Sequence, residues 1–203
     1  MFMDARQIAH LKVYGHSFGM TAELRRFLSR QSARGVVLDL RESSGGLLDE
    51  GTRLVDLFLR NGCVATMRPP RPVVATDDED DVDLPLVVLV GPKTAEGAEL
   101  VAASLRARGR AILVGARSEG KGIVTALYNL PSRARIRVAA GELLDGSGQS
   151  FVGVGVTPDV RVPEPVDESR GDAIAIDILT RSQGSRRADL LAAAAKLQAQ
   201  QPQ

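Results

Sequence analysis

The sequence predicts an α/β fold built on a largely parallel sheet with helices on its faces. Two apolar runs, GVVLDL at 35–40 and PLVVLVG at 85–91, each pass directly into a helical pattern, and a third, AILVG at 111–115, follows after a short turn. Runs that are apolar at nearly every position are the mark of strands buried on both faces, and strand–helix–strand connections return with a right-handed crossover.

In chain order, Ile8 to Tyr14 reads as a strand. Thr21 is placed as the N-cap of a helix over AELRRFLSRQSA, in which Leu24, Phe27 and Leu28 share one face, and Gly35 follows as a stop. After the first apolar run, LLDEGTRLVDLFLRNG at 47–62 reads as a second helix with Leu47, Leu54, Leu57 and Phe58 as its apolar stripe and Gly62 closing it. Cys63–Met67 and Val73–Ala75 read as short strands. DDEDDVD at 77–83 reads as a solvated acidic loop, whose order of oxygens matches no established calcium loop. The second apolar run leads into EGAELVAASLRARG, with Leu100, Ala103, Ser104 and Ala107 at helical spacing. Past Lys121, GIVTALYNL and ARIRVAAGELL read as extended hairpin strands, and GSGQ at 146–149 has turn composition. The last forty or so residues carry two helical patterns, DAIAIDILTRSQ and RRADLLAAAAKLQAQ, broken near Gly184. These divide the chain into a core, 1–165, and a carboxyl-terminal helical extension with a polar tail, 166–203.

The bulk numbers exclude several function classes. With 203 residues, 44% hydrophobic content and a net charge of +1, the chain buries a real core and is not a basic nucleic-acid binder. Aromatic content of 3% without tryptophan argues against stacking platforms for single-stranded nucleic acid. Cys63 alone cannot form an intrachain disulfide, and its apolar setting reads as a buried structural thiol. No stretch approaches the length of a membrane span, and the amino terminus lacks an export pattern. The expected address is therefore cytoplasmic as the chain is written, or periplasmic or secreted if a signal lies upstream.

In parallel sheets, sites gather where strands hand over to helices. Three places qualify here. Gly45-Gly46 is either a tight turn or a backbone that aims an N–H at an oxyanion; Glu96-Gly97 opens a helix, where a carboxylate is stabilised by the dipole in any case; and Lys121 lies between two glycines in EGKG. The sequence carries no metal-ligand pattern and no cofactor motif.

The order GVVLDLRESSGG, then PLVVLVGPKTAEGAELVAASLRARGRAILVGARSEGKGIV, then GVGVTPDV resembles the carboxyl-terminal processing (tail-specific) serine peptidase family. Its members carry DLR-x-x-x-GG, an S-A-S-A-S-E helix start, GRA, GKG and a closing G-[IV]-x-P-D. Five separated motifs in the right order cover residues 8–165. The resemblance implies a ClpP/crotonase-like stack of strand–strand–helix units and a Ser-Lys dyad. In that chemistry serine attacks a peptide carbonyl, a neutral buried lysine takes its proton, and backbone N–H groups bind the oxyanion. By resemblance Lys121 holds the general-base position, and Gly45, Gly46 and Gly97 the oxyanion positions.

This chain departs from the family where the chemistry is sharpest. Aligned on S-A-S-A-S-E, TAEGAE puts Thr94, Glu96 and Ala98 in place of the three serines, and the middle one is the nucleophile. A carboxylate is a poor nucleophile toward an amide, and beside Lys121 it should hold the lysine protonated. The expected protein is a catalytically inactive pseudoprotease that binds a peptide or a protein carboxyl terminus. One alternative is an active endopeptidase using a nearby hydroxyl (Thr94, Ser43, Ser44 or Ser118). Another is a crotonase-like acyl-thioester enzyme with Glu96 as general base. Family members usually carry a PDZ domain ahead of the core, which is either supplied by another protein here or dispensed with. The stripe in DLLAAAAKL packs on the core or mediates homo-oligomerisation, packing being the default.

Overall fold

The apolar runs alternate sides once they are extended. In β3 (Gly35–Asp39), Val36 and Leu38 point to one face of a sheet and Val37 to the other; in β6 (Leu86–Val90), Leu86, Val88 and Val90 oppose Val87 and Leu89. All are at most 1% exposed, so both faces must be covered. The computed structural model describes residues 1–68, 73–75, 82–131, 134–162, 168–182 and 184–199. Its main sheet adds β1 (Phe2–Met3), β2 (Ile8–Lys12), β7 (Ile112–Gly115) and β10 (Val160–Arg161), in the order β1-β2-β3-β6-β7-β10. Only β1 is antiparallel to its neighbour. The two short edge strands, β1 and β10, carry no run long enough to be read from sequence.

Helices α1 (Met20–Ser29), α2 (Leu48–Asp56) and α3 (Gly97–Ala107) cover one face, where Leu24, Leu54 and Leu100 meet Leu11, Leu38 and Val88. Helices α4 (Glu168–Arg181) and α5 (Arg187–Ala199) cover the other. There Ile178, Leu190 and Ala194 are buried against Val37, Val87 and Ile112, so Leu190, Ala193 and Ala194 of DLLAAAAKL form part of the core. Arg41 ties α4 to the sheet: it bonds Asp39 through two nitrogens, Nε at 2.9 Å and Nη2 at 2.8 Å, and donates from Nη2 to Asp172 at 2.8 Å. The boundary at 165/166, the acidic residues 77–81 and the polar tail from 200 onward lie outside the described residues.

A second, antiparallel sheet runs β5-β4-β9-β8, formed by β4 (Gly62–Arg68), β5 (Val73–Ala75), β8 (Ile123–Asn129) and β9 (Arg135–Asp145). Leu143 from β9 and nearby Phe151 close the first core.

Several local expectations are corrected. The N-cap of α1 is Gly19, in the left-handed region at φ 79°, and Thr21 lies inside the helix. Thr21 donates its N–H to Glu50 Oε2 at 3.1 Å, so a carboxylate from α2 does the work expected of the threonine hydroxyl. Leu47 is the N-cap of α2 and is 51% exposed, outside the apolar stripe; α2 ends at Asp56, so Leu57 and Phe58 lie beyond it and Gly62 opens β4 rather than closing the helix. Cys63 is half-buried, with Sγ donating to Ala65 O.

Candidate active site

The ends of β3, β6 and β7 converge on one edge of the sheet, and the glycine pair comes first. Gly45 and Gly46 have φ of 89° and 134°, which side-chain-bearing residues rarely adopt. A Cβ on Gly45 would lie 2.7 Å from the N of Gly97, and one on Gly46 would lie 2.7 Å from the O of His16. Glycine here therefore lets two backbones touch. His16 donates its N–H to Gly45 O at 2.7 Å and accepts from Leu47 N–H at 2.8 Å, clamping the pair from the β2 side. The N–H groups of Gly45, Gly46 and Gly97 have no acceptor among the described residues. They are free to bind an anionic oxygen at the positive end of α3.

Glu96 is exposed and sits at φ 52°, ψ −121°, one of two non-glycine residues with positive φ among those described. A sharp, strained turn into a helix is the geometry that lifts a nucleophile clear of the sheet. The turn is held by Glu99, which is fully buried. Its Oε2 accepts the N–H of Glu96 at 3.1 Å and of Lys121 at 2.7 Å, and its Oε1 accepts Ser118 Oγ at 2.5 Å and Gly120 N–H at 2.6 Å. One carboxylate thus ties the mouth of α3 to the 118–121 turn, bringing Glu96 and Lys121 to a common anchor.

Lys121 is exposed rather than buried, and its Nζ pairs with Glu119 Oε1 at 2.7 Å. Hydrogen bonding to Glu119 raises its pKa, with smaller electrostatic contributions from Glu96 and Glu99. The lysine is therefore an ammonium whose strongest partner is Glu119, a residue for which sequence reading had no role. Two of the hydroxyls considered as substitutes are committed elsewhere. Thr94 Oγ1 donates to Leu40 O at 2.8 Å, and Ser118 Oγ bonds Glu99 while accepting the N–H of Val156 at 2.7 Å. Ser43 Oγ is buried without a partner, and Ser44 is exposed.

His16 is the site residue that sequence reading missed; a lone histidine in a loop carries no signal. It is 2% exposed, neither ring nitrogen has a partner, and its ring packs against Gly51 and Gly97. Burial pushes its pKa down to about 4, only partly offset by Glu50. Among the described residues no cluster of His, Cys, Asp and Glu is arranged to hold a metal ion, and no helix is long and apolar enough to cross a membrane.

The model of one protein family, described as Peptidase family S41, matches residues 7–162. The chain belongs to this family. It is 36% identical over 140 residues to the carboxy-terminal-processing protease of Bartonella bacilliformis, covering 66% of this chain and 32% of that one. It is 30% identical over 164 residues to carboxyl-terminal-processing peptidase 1, chloroplastic, of Arabidopsis thaliana, covering 78% and 33%. Among solved structures it resembles a photosystem II D1 C-terminal processing protease with a TM-score of 0.71 at 25% identity, covering 89% of this chain and 48% of that one. The S41 core described above thus spans about a third of the length of these two curated relatives. These matches do not support a cytoplasmic address, and one of the relatives is named chloroplastic.

Proposed function

We propose that this chain is a non-proteolytic member of family S41 that retains the peptide-binding frame of a carboxyl-terminal processing peptidase. The observation that carries the reading is the turn at 96. Its backbone has the form a nucleophile needs, but the side chain is a carboxylate, and the nearby lysine is an ammonium paired with Glu119. Neither group can act in the sense the dyad requires, because a carboxylate adds poorly to an amide and an ammonium has no lone pair to take a proton.

Peptide binding is supported by β8, the edge strand of the second sheet, which begins two residues after Lys121 and can accept an extended chain by strand addition. Exposed Ile123 and Val154 flank Lys121 and Gly120, and exposed Tyr14, Phe18 and Leu47 flank His16 and Gly46 in the chain. Such a rim suits a peptide or protein carboxyl terminus with apolar side chains.

Casein cleavage by purified wild type, Glu96→Ser, Lys121→Ala and Glu96→Ser/Glu119→Gln tests the reading. Wild type is expected to be inert. Glu96→Ser is expected to gain weak activity, and the double variant more, because removing the Glu119 charge frees the lysine to lose its proton. Cleavage by wild type that Lys121→Ala abolishes would overturn the proposal. Failure of a library of peptides with apolar carboxyl termini to bind at high micromolar concentration would remove its binding half.

A further inference from the structure

At the opposite edge of the sheet, where β6 and β7 begin, lies a cavity of about 420 Å³ whose walls include Arg60, Arg108, Arg110, Arg186 and Asp83. That volume falls within the range of small-molecule sites and exceeds what a lone inorganic ion needs. Arg110 builds the walls. Its guanidinium donates to Phe58 O at 2.9 Å, Val82 O at 2.8 Å, Leu84 O at 2.5 Å and Ser185 O at 3.2 Å, fastening three segments to one side chain. Every one of these acceptors is a neutral carbonyl. Burial pushes its pKa down to about 10, with Asp83 the charge that opposes the shift.

The other guanidiniums come from three directions. Arg108 lies over Gly62, where a Cβ would fall 2.0 Å from its Nη2, and its stem runs against Gly146. Two glycines thus leave room for its side chain, whose Nη2 reaches Asn61 O at 3.5 Å. Arg60 pairs with Asp83 at 3.5 Å, and Asp83 also accepts Ser185 Oγ at 2.7 Å. Arg186 is exposed at the start of α5, and its side chain has no partner among the described residues. Among the described residues the wall therefore carries four positive charges against the single negative charge of Asp83, in a chain whose net charge is only +1. Asp189 lies over Gly184 in the first turn of α5. The acidic run 77–81, which leads into Val82 and Asp83, lies outside the described residues. Guanidiniums fixed around a cavity repel one another, and the planar fork of arginine suits the tetrahedral oxygens of phosphate.

We infer that this cavity binds the phosphate group of a small molecule, held by Arg60, Arg108 and Arg186 between walls fixed by Arg110. Thermal unfolding at constant ionic strength tests it, with inorganic phosphate and adenosine monophosphate titrated against sodium chloride. The midpoint is expected to rise by about 3–5 °C at a tenfold excess over Kd. A larger response to the nucleotide identifies an organic phosphate as the ligand, and an equal response at equal concentration identifies free phosphate. Arg108→Ala/Arg186→Ala is expected to weaken binding at least about tenfold. It should leave the ligand-free midpoint level or higher, since like-charge repulsion is relieved. A chloride response as large as that of phosphate, an undiminished phosphate response in the double variant, or a lowered ligand-free midpoint in that variant would each overturn the proposal.

Discussion

His16→Phe separates two roles that the buried imbalance at the site makes possible. The imidazole is 2% exposed with both nitrogens unpartnered, and its pKa is about 4 against an ordinary 6.5. The folded pKa lies below the unfolded one, so between the two values the unfolded chain holds the extra proton. Stability is complete above about pH 6.5 and is lost as pH falls toward about 4, by about 3 kcal/mol from this group alone. Phenylalanine cannot titrate and leaves no unsatisfied nitrogen, a relief of about 1–3 kcal/mol, although its larger ring presses on Gly51 and Gly97 at a cost of similar size. The two proteins should therefore be within about 1 kcal/mol of each other near neutral pH, while at about pH 4.5 the variant should be more stable by about 2 kcal/mol. Urea unfolding of both proteins across that interval measures the difference. Carboxylates such as Glu50, whose pKa is lowered, titrate in both and largely cancel. Parallel loss of stability in the two proteins would refute the reasoning, because it would mean that His16 is not held neutral by burial.

Glu99→Ala removes the acceptor of three backbone N–H groups and one hydroxyl, and should cost about 3–5 kcal/mol in urea unfolding, with faster hydrogen exchange at Glu96, Gly120 and Lys121; a loss below about 1 kcal/mol would contradict its role as anchor. Gly46→Ala forces a side chain into φ 134° and against the His16 backbone, and should cost about 2–4 kcal/mol while weakening any peptide bound at the site; unchanged stability would show that the loop can shift.

The large elements were legible because burial on both faces writes itself into the chain as unbroken apolar runs. Val36–Leu38 and Leu86–Val90 could hardly be anything but central strands, and the helices between them showed their stripes. The N-cap of α1 was misread because the group that satisfies its N–H, Glu50, arrives from another helix, and nothing near Thr21 in sequence announces it. The same limit applies within the site. Gly45, Gly46, Glu96, Gly97 and Lys121 were readable as turn residues at strand ends. The pairing of Lys121 with Glu119 and the packing of His16 under Gly97 depend on side-chain directions that no spacing encodes.

Glu96 carries a backbone strain of about 1–3 kcal/mol. A turn needed only to start a helix would relax into an ordinary cap, with φ negative and a Ser, Thr, Asp or Asn side chain on the free N–H groups. What prevents that relaxation is contact from every side: Glu99 holds the Glu96 N–H, Gly45 lies against the peptide that follows, and Ala95 N–H donates to Ser43 O at 3.0 Å. The backbone is over-determined by its neighbours, whereas the Glu96 side chain is exposed on the outside of the turn. Substitution at 96 can therefore change the chemistry without disturbing the frame. By the same argument a hydroxyl introduced at 96 would take the aim of the turn, with Lys121 still paired to Glu119.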